Sequence, residues 1–351
     1  MFDANWALYL LMKNRTFLIV AMAAVAVLSG MSFGAQTADL TAYGPDLRDR
    51  CWMFGHDSGQ HDFPGNTFNI PVSPKVTMGE ACADMGVSNV CVCVWHLPDD
   101  GYLRQFDGLK RVAWCVDNGY LKIHLKEDDY PKRLAAAFDR LGKLPNLMGF
   151  EYDDFFNGHS AERIVRDRLE DGTEVEVLKG PRDLAELRRV RARMRAYGRP
   201  LDMRLVLYTE ELKYGKALLP VVDVFDTVTL WTWTGSNLAG LRDRFREYRR
   251  LVGPAKRTFL GIYMWDFGGK KPIGEANMKA QLDFALELFR AGQVQGFVFH
   301  CTPLVNKGLP EVGMVRRWIA EHGDEKQAEG AADMTACCVP LKSDESVWRF
   351  L

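Results

Sequence analysis

Leu147-Met148-Gly149-Phe150-Glu151-Tyr152-Asp153-Asp154 opens with four uncharged residues and closes with three carboxylates in four positions. A strand buried on both faces reads as a short continuous apolar run, and such strands belong to parallel sheets covered by helices. Acids gathered where the run stops are what such a strand shows when its carboxyl end opens into a site. Seven further runs of this kind flank it, so the eight lie at 51–56, 90–96, 111–117, 147–154, 204–209, 227–233, 259–266 and 296–301.

Segments with helical spacing separate most of them, at 131–142, 183–197, 238–251, 275–291 and 311–322. Pro131 suits a first helical turn, Ser236 and Asn237 are natural N-caps, and Gly292 and Gly323 are natural stops. Strands alternating with helices predict parallel pairing through crossovers. Eight repeats predict an α/β (β/α)8 TIM barrel rather than an open doubly wound sheet, whose Gly-rich phosphate turn is missing from the sequence. Residues 163–178 break the rhythm. Glu170-Asp171-Gly172 reads as a turn, which predicts a β-hairpin insertion after strand 4, overhanging the barrel mouth.

The barrel domain is expected over 45–323. Before it, Lys13 and Arg15 precede an apolar stretch from Thr16 to Ser32, and Ser32-Phe33-Gly34 offers the small residues a signal peptidase reads. This predicts a signal peptide over 1–34 and a secreted or periplasmic protein. An uncleaved anchor is the alternative, although the stretch is shorter than the ~20 residues that span a bilayer. Residues 324–351 read as a C-terminal tail. Eight cysteines include Cys91 and Cys93 in one strand and the neighbours Cys337 and Cys338, without any CxxC pair, so buried free thiols are expected.

A net charge of −1, from 45 basic and 46 acidic side chains, lacks the electrostatic footprint of a nucleic-acid binder. The arginine-rich segment 183–199 places Leu184, Leu187, Val190 and Met194 on one face and reads as an outer barrel helix with a solvated side.

In a barrel of this type chemistry collects at the carboxyl ends of the strands. Glu151 and Asp153 share a face roughly 7 Å apart along the strand, while Asp154 starts on the other. Neighbouring acids repel when ionised, so one holds its proton at higher pH and can act as an acid beside an ionised partner. Glycoside hydrolysis needs that division of labour. Asp153 or Asp154 is therefore the expected acid/base. Asp266, across the mouth on strand seven, is the expected nucleophile or second carboxylate, with Glu151 and Glu210 in reserve. Trp95, Tyr208, Trp231, Trp233, Tyr263 and Trp265 would supply flat walls for sugar rings, and His56, His96 and His300 would hydrogen-bond to the substrate. Neither cofactor nor metal is expected. Two other readings stand beside this one: a metal-dependent hydrolase or isomerase using His56, His96, Asp154, Glu210 or His300 as ligands, and a carbohydrate-binding barrel without catalysis.

Gly149-Phe150-Glu151-Tyr152-Asp153-Asp154-Phe155-Phe156, Val228-Thr229-Leu230-Trp231-Thr232-Trp233 and Gly261-Ile262-Tyr263-Met264-Trp265-Asp266-Phe267-Gly268 resemble segments of a group of exported bacterial (β/α)8-barrel proteins similar to glycoside hydrolases. The resemblance implies the barrel and a carbohydrate substrate. The acidic strand also resembles that of chitinase-type hydrolases, but their proton-donating Glu comes last, whereas here Glu151 comes first, so their substrate-assisted mechanism is not implied.

Overall fold

Cys51–Gly55 (β1) hydrogen-bonds in parallel to Asn89–Val92 (β2) on one side and to Gly296–His300 (β12) on the other, which closes a ring. The computed structural model describes residues 39–72, 74–119, 129–156, 164–169 and 171–327. The rest of the ring is Arg111–Asn118 (β3), Leu147–Asp153 (β4), Asp202–Tyr208 (β7), Thr227–Trp231 (β8) and Arg257–Tyr263 (β9), all parallel and in chain order. The protein is a (β/α)8 barrel, as the alternation predicts. Ile164–Arg168 (β5) and Glu174–Leu178 (β6) form the antiparallel hairpin expected after β4.

Each barrel strand leads into helix. The helices are α1 (Met78–Met85), α2 (Asp100–Leu103), α3 (Tyr130–Lys143), α4 (Leu184–Arg195), α5 (Leu219–Val222), α6 (Leu241–Val252), α7 (Glu275–Arg290) and α8 (Pro310–His322). Three of these, α1, α2 and α5, went unpredicted because one or two turns cannot display a period. A local signal existed for α1, whose Thr77 and Glu80 form a capping box.

Several strands are shorter than expected at the end where the site lies. β2 stops at Val92, and Arg133 takes up the carbonyls of Val94 and Trp95 instead of a neighbouring strand. β9 stops at Tyr263, and Trp265–Asp266 (β10) turns away to pair with Lys271–Pro272 (β11). The barrel end therefore frays into loops.

The six described cysteines are buried and unbridged, as expected. Cys337 and Cys338, like the leader over 1–34, lie outside the described residues. Of the tail, 324–327 is described: Lys326 bridges to Asp46, and Gln327 donates to the carbonyls of Phe289 and Val294. Among the described residues no helix is long and apolar enough to cross a membrane.

Candidate active site

Inside the barrel, polar residues are stacked in layers along β4. Glu151 meets Arg204, whose Nε lies 3.0 Å from Oε2, and the guanidinium is sandwiched by Trp52 and Phe259 at 4.3 and 4.7 Å. One layer higher, Asp153 Oδ2 accepts the amide of Asn118 at 2.6 Å and faces the Cys93 thiol at 3.5 Å. Asn118 reaches it because β3 slips register against β4 between Cys115 and Asp117. The same slip sends Asp117 elsewhere, into a two-pronged ion pair with buried Arg182.

Above Asp153 the strand ends and opens a cavity of about 290 Å³. Asp154 has φ of +49°, a left-handed conformation that breaks the alternation of a strand. In consequence Asp153 and Asp154 line the same cavity rather than opposite faces of β4. Here a glycine is required at 119: any Cβ at that position would strike the Asp154 carbonyl. Tyr208, closing β7, donates its hydroxyl to Asp154 Oδ1 at 2.5 Å.

Trp231, Tyr263, Trp233, Phe54 and Phe267 wall the cavity, and Trp95, 39% exposed, stands at its edge. The rings meet largely edge-on, as between Phe54 and Trp231 at 5.8 Å, which holds the wall rigid. Across from the acids three imidazoles cluster, with centroids of His56 and His61 4.4 Å apart and those of His56 and His300 5.2 Å apart. Burial depresses the basicity of all three, helped at His56 and His300 by the neighbouring imidazoles, and it brings His61 down to about 4. They are neutral at pH 7. His56 Nδ1 engages the Cys93 carbonyl and Gln60, while His300 Nδ1 and Trp231 Nε1 are buried without a hydrogen-bond partner.

Burial likewise holds the Asp153 proton far above the usual carboxylate range, and the charges of Asp154 and Glu151 add to it. Burial raises Glu151 too, but Arg204 opposes it.

Nine of the residues expected at a site therefore converge: His56, Trp95, Asp153, Asp154, Tyr208, Trp231, Trp233, Tyr263 and His300. Five do not. Glu151 is sealed beneath the cavity with Arg204. Glu210 is exposed and accepts from Asn237. His96 is exposed beside Asp57. Trp265 points its Nε1 at the Phe68 carbonyl and braces the loop after β1. Asp266 accepts the Gly269 amide at 2.6 Å within the β10–β11 turn, so the expected pair across the mouth is not assembled. The β5–β6 hairpin, expected over the mouth, contributes no described residue to the lining. Among the described residues no group of three or more His, Cys, Asp or Glu is placed to hold a metal ion.

The loop after β1 was missed. Gln60, His61, Phe63, Asn66, Thr67 and Phe68 all line the cavity. Asn66 folds the loop by accepting the amides of Phe68 and Ile70 and donating to the carbonyls of Phe63 and Ile70. A buried Asp62–Lys307 pair at 2.8 Å ties it to the loop after β12. The available signal was length: twenty-two residues separate β1 from α1, well beyond the usual connection in such units.

Fold and site define a (β/α)8 barrel with an aromatic, acid-bearing cavity at its carboxyl end. No family model and no curated protein matches the chain. Among solved structures, a Group IV chitinase from Ostrinia furnacalis is 9% identical over 78% of this chain and 100% of its own, with a TM-score of 0.46. A beta-glucuronidase from Bacteroides uniformis is 13% identical over 74% of this chain and 31% of its own, with a TM-score of 0.45. The xylanase and alpha-amylase inhibitor protein XAIP-II from Scadoxus multiflorus is 11% identical over 78% of this chain and 98% of its own, with a TM-score of 0.44.

Proposed function

We propose that the protein binds a carbohydrate in the mouth cavity and cleaves a glycosidic bond there, with Asp153 as the proton donor. The observation that carries this reading is two aspartates side by side under a wall of aromatic rings, Asp153 buried so that its proton affinity is raised and Asp154 hydrogen-bonded by Tyr208. Pyranose rings present apolar C–H faces to such walls. Asp153 would protonate the leaving oxygen from Oδ1, because Asn118 and Cys93 both address Oδ2. Asp154, steered by Tyr208, would stabilise the cationic sugar or orient water. In this reading Glu151, Glu210 and Asp266 do structural work.

A second reading is favoured by one fact. Both carboxyl groups in the lining come from the end of β4 and the residue that follows it, and among the described residues no other strand contributes one. A glycosidase places its two carboxyls about 5–10 Å apart on opposite sides of the bond, so an acid pair from one strand also suits a sugar-binding barrel without turnover. Calorimetric titration with a panel of neutral oligosaccharides, paired with reducing-sugar release, separates the two. Asp153→Asn should keep binding and lower turnover by about 10²–10⁴-fold. Binding without turnover in the wild type selects the second reading, and failure of every sugar to bind defeats both.

A further inference from the structure

At the opposite end of the barrel lies a second cavity, of about 480 Å³, and its wall is charged. Arg191 and Arg195 reach it from α4, Arg199 from the turn that follows, and Arg257 from the start of β9. Facing them are two acids, Asp202 and Asp226, from the amino ends of β7 and β8. Both acids are already engaged. Asp226 is gripped by the Arg191 guanidinium and also accepts the Met203 amide. Asp202 accepts the Thr227 hydroxyl on both oxygens at 2.9 Å and stands 3.6 Å from Arg257 Nη1.

The cations are less well served. Arg199 spends its donors on the carbonyls of Leu141, Pro145 and Leu147, which leaves its charge without a carboxylate. Arg195 is exposed and has no carboxylate partner among the described residues. Arg191 Nε and Arg257 Nη1 are buried with no hydrogen-bond acceptor. Four guanidiniums against two carboxylates leave an excess of two positive charges, and burial with the nearby Arg195 charge already lowers the Arg191 pKa to about 10. Buried donors without acceptors are uncommon in folded proteins, and a charged one is costly to leave unpaired. Arg191 and Arg257 already face carboxylates, Asp226 and Asp202, so what an oxyanion in the cavity would supply is the counter-charge for the two guanidiniums in excess, Arg195 and Arg199, and a guanidinium fork matches phosphate geometry.

We propose that this arginine-walled cavity is a binding site for a tetrahedral oxyanion, phosphate or sulfate, carried either free or as an ester on a small molecule. The site is independent of the sugar cavity and stands whether or not a glycoside is cleaved. It also gives the arginine-rich stretch of α4 a use beyond solubility.

Calorimetric titration with inorganic phosphate, sulfate and glucose 6-phosphate tests it, alongside the ¹⁵N–¹H signals of the arginine Nε groups. One-site saturation, with a few Nε signals moving, is expected. Arg195→Gln, at an exposed position that keeps the fold, and Arg257→Gln should each weaken binding about tenfold, whereas Arg189→Gln on the same helix should not. Tighter binding of glucose 6-phosphate than of inorganic phosphate identifies an ester as the ligand, and equal binding identifies the free ion. No saturation in the wild type overturns the proposal. So does an equal loss in Arg189→Gln, which would reveal diffuse charge attraction, or the behaviour of an adventitious ion only, displaced by chloride at like concentration.

Discussion

Glu151 and Asp153 stand two residues apart on β4, and each faces a cysteine thiol, Cys91 of β2 at 3.7 Å and Cys93 just past its end at 3.5 Å. Their remaining partners differ. Glu151 meets a guanidinium wedged between two aromatic rings, in the sealed middle of the barrel. Asp153 meets an amide, and burial pushes its proton affinity up, with the charges of Asp154 and Glu151 adding to it. Within one strand, then, the choice of a cation or an amide as partner separates an acid that holds the barrel together from one held neutral at the mouth.

Glu151→Gln is the harshest way to break this contrast, because it leaves Arg204 as a buried charge without its counter-ion. Removing one partner of such a pair costs about 3–5 kcal/mol, readable as a fall in the urea midpoint. Asp153→Asn replaces a neutral group by a neutral one of the same shape and spares the fold the uptake of a proton that the unfolded Asp153 has released, so at pH 7 it should leave the protein at least as stable as the wild type. Equal losses for the two variants would erase the distinction between the layers.

The boundary between the layers is marked by Trp231, whose ring lies directly against the Cα of Gly261 on the adjacent strand. Gly261→Ala places a methyl group where that ring lies and forces the ring, which also lines the cavity, to shift. Overpacking of this kind costs about 2 kcal/mol, and here it should also weaken any ligand of the mouth while sparing phosphate binding at the far end. Thermal unfolding and the two titrations check it together.

How much of this was legible follows the same division. The barrel was read from β4 and its seven companions because continuous apolar runs leave few alternatives to buried parallel strands. The mouth was half legible. Asp153, Asp154, Tyr208, Trp231 and Trp233 could be named because they end runs, but three local events were not written in any period: the register slip that delivers Asn118, the left-handed turn at Asp154, and the turn that draws Asp266 back onto Gly269. Each is decided by tertiary packing of one residue. The loop carrying His61 and Phe68 was passed over because it has neither helical nor strand spacing, although its length marked it out.

Asp153 also predicts a pH dependence of defined sign. Its folded pKa lies above the unfolded value of 3.8, so the unfolded chain releases this proton first. Its contribution to stability is complete below 3.8 and is lost as the pH rises toward the folded value, with a slope of at most ~1.4 kcal/mol per pH unit. His61 behaves in the opposite sense: its stabilisation is present above 6.5 and is lost as the pH falls toward about 4. Urea midpoints across pH 4–8 for wild type and Asp153→Asn isolate the first effect. The gap between the two proteins should move in favour of the variant as pH rises, and a constant gap would mean that Asp153 is ionised in the fold.

Trp95 gives the smallest effect and the finest test of where the mouth ends. Its carbonyl is fixed by Arg133 and its ring meets His61 edge-on at 5.5 Å, yet more than a third of it is open to solvent. Trp95→Ala should therefore cost little stability. A stacked sugar ring lost at an exposed edge weakens binding by about 1 kcal/mol, or roughly fivefold in Kd. The length dependence is more informative than the size. If the ring belongs to the cavity proper, a monosaccharide loses as much as a longer chain, whereas if it is a platform beyond the acids, only chains that extend past Asp153 and Asp154 feel its removal. Its place at the rim, above walls already closed by Trp231 and Trp233, favours the second outcome, and titrating Trp95→Ala with sugars of increasing length measures it.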